Sequence, residues 1–286
     1  MRWFGLLLCV VSFSSAADGF VWEVSKGAET MYIGGTIHVL SKGDYPLPKS
    51  HDKAYNNAEV TAFETDIDAL HSLAFQSKML GALYFKNSSA NTLKKSLSTK
   101  AYSALSQYFK SRGMNINDLK KSKPQMVYVM MVQVEMMRIG MTLAGVDEHF
   151  NERRKKDKKS AAFLETLDQQ LDFIVNMGKG HESELILQSL EEMSEMKEMM
   201  GKLKAAWRSG DRAKLAEVAL EDMQKDYPEL YQSLLVKRNN AWMPQLEAML
   251  TTPEVEFVLV GALHLVGEEG VLSKLEAKGY TVKHLD

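Results

Sequence analysis

The sequence predicts an α/β fold, with a largely parallel central sheet built from two G-x-x-H strand-helix-strand units and large α-helical insertions forming a cap. Three observations carry the prediction. Met31-Tyr-Ile-Gly-Gly-Thr-Ile-His38 and Phe257-Val-Leu-Val-Gly261-Ala-Leu-His264 are apolar runs of strand length, each with a histidine three residues after a glycine. The first leads through a helical stretch into a second apolar run, a crossover that requires parallel strands. Residues 68–143 and 168–252 change to helical spacing and are read as insertions.

Taken in order, Phe20-Val-Trp-Glu-Val-Ser25 and Thr30-Met-Tyr-Ile-Gly34 flank Lys26-Gly-Ala-Glu29, which reads as a hairpin. Pro46 and Pro48 bound a loop, a helix is expected from about Lys49 to Ala58, and Glu59-Val-Thr-Ala-Phe-Glu64-Thr65 reads as a strand ending in a carboxylate. Leu70, Leu73, Met79, Leu80 and Leu83 recur at helical spacing, a second helix runs from Thr92 to Lys110, and Gly113 stops it. Pro124 opens the apolar stretch Met126 to Leu143, which Gln133, Glu135 and Arg138 interrupt; it is expected as a buried or capping helix, its methionines as core filler.

Gly145-Val-Asp147-Glu-His149-Phe150 opens a charged helix ending in Arg153-Arg-Lys-Lys-Asp-Lys-Lys159, read as a solvated end. Ser160-Ala-Ala-Phe-Leu-Glu165-Thr166 is a further short apolar run. Thr166-Leu-Asp-Gln169 resembles a capping box opening a helix over 168–177. One long amphipathic helix is expected from about Glu182 to Arg208, ended by Gly210; Asp211 caps the next, and Pro228 and Pro244 divide the remainder. The strand Val255 to Val260, a helix from Glu268 to Lys278, and Tyr280-Thr-Val-Lys-His-Leu285 close the chain. The ends and a middle piece (about 20–67, 145–167 and 254–286) therefore build the sheet of a single domain over 18–286.

Composition narrows the function. Lys+Arg 35 against Asp+Glu 37 leaves no basic excess, so nucleic acid is not the expected partner. Residues 1–17 read as a signal peptide: Arg2, then the apolar Trp3 to Phe13, then Ser14-Ser-Ala-Ala17. That segment implies a periplasmic or secreted protein, and it holds Cys9, the only cysteine. The mature chain then has no thiol, so a metal site would use histidine, carboxylate and water. No stable membrane span is expected after signal removal, because the apolar run is short of the roughly 20 residues a bilayer needs.

The order glycine, histidine, helix, strand, Glu-Thr occurs twice, and the unit from Gly261 repeats its first half. This repeat sets His38, His149 and His264 with Glu64 and Glu165 at equivalent element ends, suggesting one shared site at the carboxyl end of the sheet. His51, His71, His181 and His284 sit among polar residues and read as surface. Trp207 and Trp242 read as packing. Glu165 and Arg238 are equally explained by a structural salt bridge, and Asp147 by an N-cap.

These motifs, with Leu-Glu165-Thr-Leu-Asp-Gln-Gln-Leu171, Arg238-Asn239-Asn-Ala-Trp242-Met-Pro244 and Val-Gly261-Ala-Leu-His264-Leu-Val-Gly-Glu-Glu-Gly270, resemble the TraB/GumN family across essentially the whole mature chain. That family includes the Tiki-type proteins and is similar in core to the erythromycin esterases and ChaN-like haem-binding proteins. Leu263 departs from the glycine its bacterial members carry before the second histidine. The resemblance implies a metal-dependent hydrolase of metallopeptidase type. Manganese or cobalt is favoured, zinc being possible chemically, with His38, His264 and Glu64 as the functional set.

On that footing His38, His264, Glu64 and His149 are expected to hold a divalent metal, with Glu64 as ligand or general base. Asp147 supports His149 or the metal. Arg238 stabilises an oxyanion or clamps a substrate carboxylate, and Asn239 orients it. The substrate is a peptide or small molecule. The alternative is a non-catalytic envelope protein that binds a peptide, a pheromone-like ligand or haem; an envelope interaction protein with a relict site is a third reading.

Overall fold

The computed structural model describes residues 19–87, 90–142 and 144–286. The expected signal peptide and Cys9 lie outside the described residues. Six strands form one sheet: β1 (Val21–Lys26), β2 (Glu29–Thr36), β3 (Val60–Phe63), β4 (Ser160–Phe163), β5 (Glu256–Gly261) and β6 (Thr281–His284). Their spatial order is β4-β3-β5-β2-β1-β6. The four strands from β4 to β2 run parallel, and β1 is antiparallel to both its neighbours. The hairpin forms as read, Lys26 pairing with Glu29 across the turn, and its second strand leads directly to His38.

The register sets the site. Phe63 of β3 lies beside Phe163 of β4, so Glu64, one residue on, and Glu165, two residues on, leave adjacent strands side by side, with Glu165 N–H donating to Glu64 O. Thr36 of β2 pairs with Gly261 of β5, so His38 and His264 follow neighbouring central strands. All four candidate side chains thus follow the carboxyl ends of their strands, the edge at which open parallel sheets bind ligands. Phe257, Val258 and Leu259 of β5 are fully buried, as expected for a strand covered on both faces.

Five helices position the site: α1 (Lys49–Asn57), α2 (Val146–Asp157), α3 (Leu167–Asn176), α4 (Lys237–Met249) and α5 (Val271–Ala277). The expected box opens α3, Thr166 and Gln169 exchanging side-chain and backbone bonds. α2 begins at Gly145, which caps it, and Asp147 falls in its first turn rather than at the cap. Its basic end is largely paired: Arg153 with Asp52, Arg154 and Lys155 with Asp68, and Lys159 with the carbonyls of Tyr55 and Ala58.

Several expectations are corrected. The helix expected over 92–110 is two, Leu93–Ser96 and Thr99–Ser111, because Ser98 caps the second by accepting from Ala101 N–H. The long helix expected over 182–208 breaks at residues 193–195 into Glu182–Glu192 and Met196–Ser209, which buries both Met193 and Met196. Pro244 lies inside α4 and does not divide it. Its missing N–H leaves the carbonyl at exposed Asn240 to solvent. Leu70, Leu73 and Leu80 are exposed rather than packed.

His51 is fully buried, not on the surface, because α1 turns Ser50, His51, Ala54 and Tyr55 inward together; its ring lies 5.3 Å from Trp207 and stacks over Phe150. His284 is also partly covered, edge-on to Trp22 with Nε2 bonded to Gly19 O. The apolar stretch after Pro124 forms Pro124–Arg138, with fully buried Glu135 paired to Arg112 and Arg138. Among the described residues no helix is long and apolar enough to cross a membrane.

Candidate functional site

His38 lies two residues beyond β2, and its Nδ1 is 2.7 Å from Asp147 Oδ2 in the first turn of α2. The approach depends on Gly145. A Cβ there would stand 2.3 Å from the carbonyl carbon of His38 and 2.4 Å from its oxygen, so only glycine lets the helix start this close to the strand end. Val146 N–H donates to Ile37 O and ties the two segments. The bond fixes the ring: Nδ1–H donates to Asp147, and Nε2 has no hydrogen bond to another described residue.

The His38 side chain keeps 63% of its surface open. The Asp147 carboxylate attracts the imidazolium, burial opposes it, and the Asp147 hydrogen bond and the Glu64 charge add support; together they push the imidazole up to about 9. His38 thus carries its second proton at neutral pH.

Next to this dyad is a buried polar cluster organised by Arg238. Nε donates to Glu165 Oε1 at 2.7 Å, and Nη2 to Glu64 Oε2 at 2.6 Å and Glu165 Oε2 at 2.9 Å. Nη1 reaches His264 Nε2 at 3.0 Å and Leu234 O at 3.4 Å. A guanidinium has five N–H donors, and all five are engaged. As arranged, its donors all face Glu64, Glu165, His264 and the Leu234 carbonyl. Arg238 lies two residues past a π-helical stretch, Gln232–Val236, a local widening often found at functional sites.

Asn239 orients His264, not Arg238. Its Nδ2 donates to the carbonyls of Glu269 and His264, at 2.8 and 3.3 Å, which leaves Oδ1 facing His264 Nδ1 at 2.6 Å. Nδ1 therefore carries the proton, and the Nε2 lone pair accepts from Arg238. Burial drives His264 toward neutrality against the attraction of Glu64, with Arg238 and His38 assisting, and its imidazole is pushed down to about 3. Burial works against the charge on Glu64, but His264, Arg238, His38 and the Gly261 N–H, 2.6 Å from Oε1, outweigh it and hold the carboxyl down to about 2.

The two clusters meet at Gly261. The position a Cβ would take there is 3.2 Å from Glu64 Oε1, 3.5 Å from His264 Cδ2 and 3.6 Å from His38 Nε2. Three side chains expected to act together thus converge on one small space that this glycine leaves open. His149 does not join them. It is half-buried, edge-on to Phe150 and near Tyr45, and burial lowers its pKa.

Glu165 is the residue whose place the repeat foretold and whose function the salt bridge defines. Besides Arg238 it accepts from Trp242 Nε1 at 2.9 Å and Gln170 Nε2 at 2.6 Å. Trp242 is fully buried with its ring 4.3 Å from that of His264, packing as expected but against the site itself. Phe173, also beside Arg238, and Gln170 carry no signal in the sequence beyond their place on α3. A cavity of about 510 Å³ opens where β3 and β4 end, bounded by Thr65, Asp66, Glu165, Thr166 and Gln245; His38 is not among its walls.

The donors as arranged do not fit a metal centre of His38, His264 and Glu64. The His264 lone pair and one Glu64 oxygen are turned to a permanent cation. His38 Nε2 and Glu64 Oε1 remain, two donors where a catalytic centre uses three protein ligands. Among the described residues no group of three or more histidine, cysteine or carboxylate side chains is disposed to hold an ion.

The profile of the TraB/PrgY/gumN family matches residues 20–284. The chain belongs to that family. Comparison with curated proteins gave no match, and comparison with solved structures gave none either.

Proposed function

We propose that this member of the TraB/PrgY/gumN family is an exported hydrolase that cleaves an amide bond in a peptide, with His38 as the general base. The observation that carries the reading is the His38–Asp147 dyad on an exposed ring, its Nε2 converging with Glu64 on the space at the bare Cα of Gly261. Asp147 fixes the ring so that Nε2 receives the proton, and its charge stabilises the imidazolium that forms. Water held between His38 Nε2 and Glu64 Oε1 would surrender a proton to the imidazole as its oxygen attacks the carbonyl carbon. The imidazolium then returns that proton to the leaving nitrogen.

Glu64 stays ionised under Arg238 and Gly261 and acts as a fixed acceptor rather than a base, since a carboxyl held near 2 is a poor proton acceptor. Arg238 and His264 supply rigidity around it. Export rests on the reading of residues 1–17. The test is incubation of the purified mature protein with a peptide library at pH 9, read by mass spectrometry, beside His38→Gln. Cleavage that His38→Gln abolishes while its fold survives is the expected result. Tight binding with every peptide returned intact would replace hydrolysis with the ligand-binding alternative.

A further inference from the structure

The relation between Arg238 and the side chains around it reaches past the choice of general base. A divalent ion bound by imidazole and carboxylate needs lone pairs that converge on empty space. Here the convergent lone pairs belong to Glu64, Glu165 and His264, and their focus is filled. Glu64 Oε2, both oxygens of Glu165 and His264 Nε2 all receive N–H groups of one guanidinium, at 2.6 to 3.0 Å. The carboxylates are 11% and 5% exposed and the arginine 10%, so the cation is enclosed with its partners.

We infer that the guanidinium of Arg238 occupies the cation position between Glu64, Glu165 and His264, and that the site works without a divalent metal ion. Two further features support this assignment. Trp242 closes the cluster from one side, its Nε1–H satisfying Glu165 and its ring lying 4.9 Å from the guanidinium carbon, and Phe173 stands 5.1 Å from the same carbon. Aromatic faces suit a planar, weakly hydrated cation and offer nothing to a metal ion. Asn239, whose amide is locked by two carbonyls, holds His264 in the tautomer that accepts from an N–H. In that arrangement the arginine serves as a positioning residue: it fixes Glu64 beside His38 and spends no donor on substrate.

The assignment makes an affirmative prediction about a variant. Arg238→Met removes the charge, keeps an unbranched apolar stem, and leaves two carboxylates and an imidazole lone pair facing one another. Such a set is a metal site. The experiment uses the mature protein, stripped with chelator and dialysed against manganese, cobalt or zinc chloride one at a time, with bound metal read by elemental analysis and affinity by titration calorimetry.

Wild type is expected to retain no stoichiometric metal, and Arg238→Met to retain about one equivalent with affinity at least about 100-fold higher. One equivalent in wild type, lost in His264→Ala, would overturn the inference. So would failure of a folded Arg238→Met to gain metal, since the guanidinium would then not be what fills the position. Should Arg238→Met not fold, the 15N signals of the His264 ring in wild type decide instead. They are expected to stay unmoved on zinc addition, and a shift at Nε2 contradicts the assignment. None of these readings uses hydrolysis, so they stand or fall separately from the proposed activity.

Discussion

His38 Nδ1 and Asp147 Oδ2, 109 positions apart in the chain, lie 2.7 Å from each other and join the end of a central strand to the first turn of a helix. The contact determines which nitrogen of His38 faces the space at Gly261 and how readily that ring accepts a proton. In Asp147→Asn the main source of the raised pKa is gone. The His38 ring is expected to titrate about 1 to 3 units lower, measured by NMR of its ring protons. Hydrolysis should fall by about 100-fold or more despite the larger neutral fraction, because the amide no longer stabilises the imidazolium and can hold the wrong tautomer.

Gly261 leaves open the space in which His38, Glu64 and His264 converge. In Gly261→Ala the new methyl would stand 3.2 Å from Glu64 Oε1 and beside His38 Nε2, where the attacking water is proposed to sit. The expected outcome is a loss of about 100-fold in kcat/KM. Because Gly261 does not have a positive φ, the melting temperature should change little by comparison.

The Arg238 cluster is expected to contribute strongly to stability through its wholeness. Glu165→Gln removes one of two carboxylates from a buried cation and disturbs the bonds from Trp242 and Gln170. A cost of about 3 kcal/mol is expected in denaturant unfolding. His38→Gln, at an exposed side chain, should cost far less.

Stability should decline in acid, and the sign follows from two depressed values. His264 binds its proton near 6.5 when unfolded and only near 3 when folded, so its contribution is present above 6.5 and lost as pH falls toward 3. Glu64, ordinarily near 4.5 and held to about 2, loses its share between those values. Unfolding free energy should therefore fall continuously from about pH 6 to 3, below the range in which the raised His38 imidazole acts in the opposite direction. In His264→Gln the part of the slope between about 6.5 and 4.5 should flatten.

Much of this architecture is legible in the sequence, and the reasons differ by element. The hairpin, the strands before His38 and His264, and the β3 and β4 pair are announced by short apolar runs with glycine or Glu-Thr at their ends. Repetition of Glu64-Thr and Glu165-Thr locates two carboxylates at one level of the sheet before any coordinates are known. His38, Glu64 and His264 do converge, whereas His149, two residues past Asp147 on the same helix, packs against Phe150 and Tyr45.

What the residues alone do not show is direction. Nothing in Arg238-Asn239 says that the arginine turns all five donors inward or that the amide serves His264, because those choices are made by Glu165, Trp242 and two backbone carbonyls distant in sequence. The burial of His51 was hidden for a simpler reason. Lys49, Asp52 and Lys53 surround it in sequence but lie on other faces of the helix.

The central claim, that His38 takes a proton from water, is tested most directly by the dependence of kcat/KM on pH between 6 and 10 for a peptide the protein cleaves. The account predicts a rise of about tenfold per pH unit that levels off near 9, as the neutral imidazole becomes the major form. A rate that is flat or falling between pH 7 and 9, with His38 shown by NMR to titrate in that range, would contradict it.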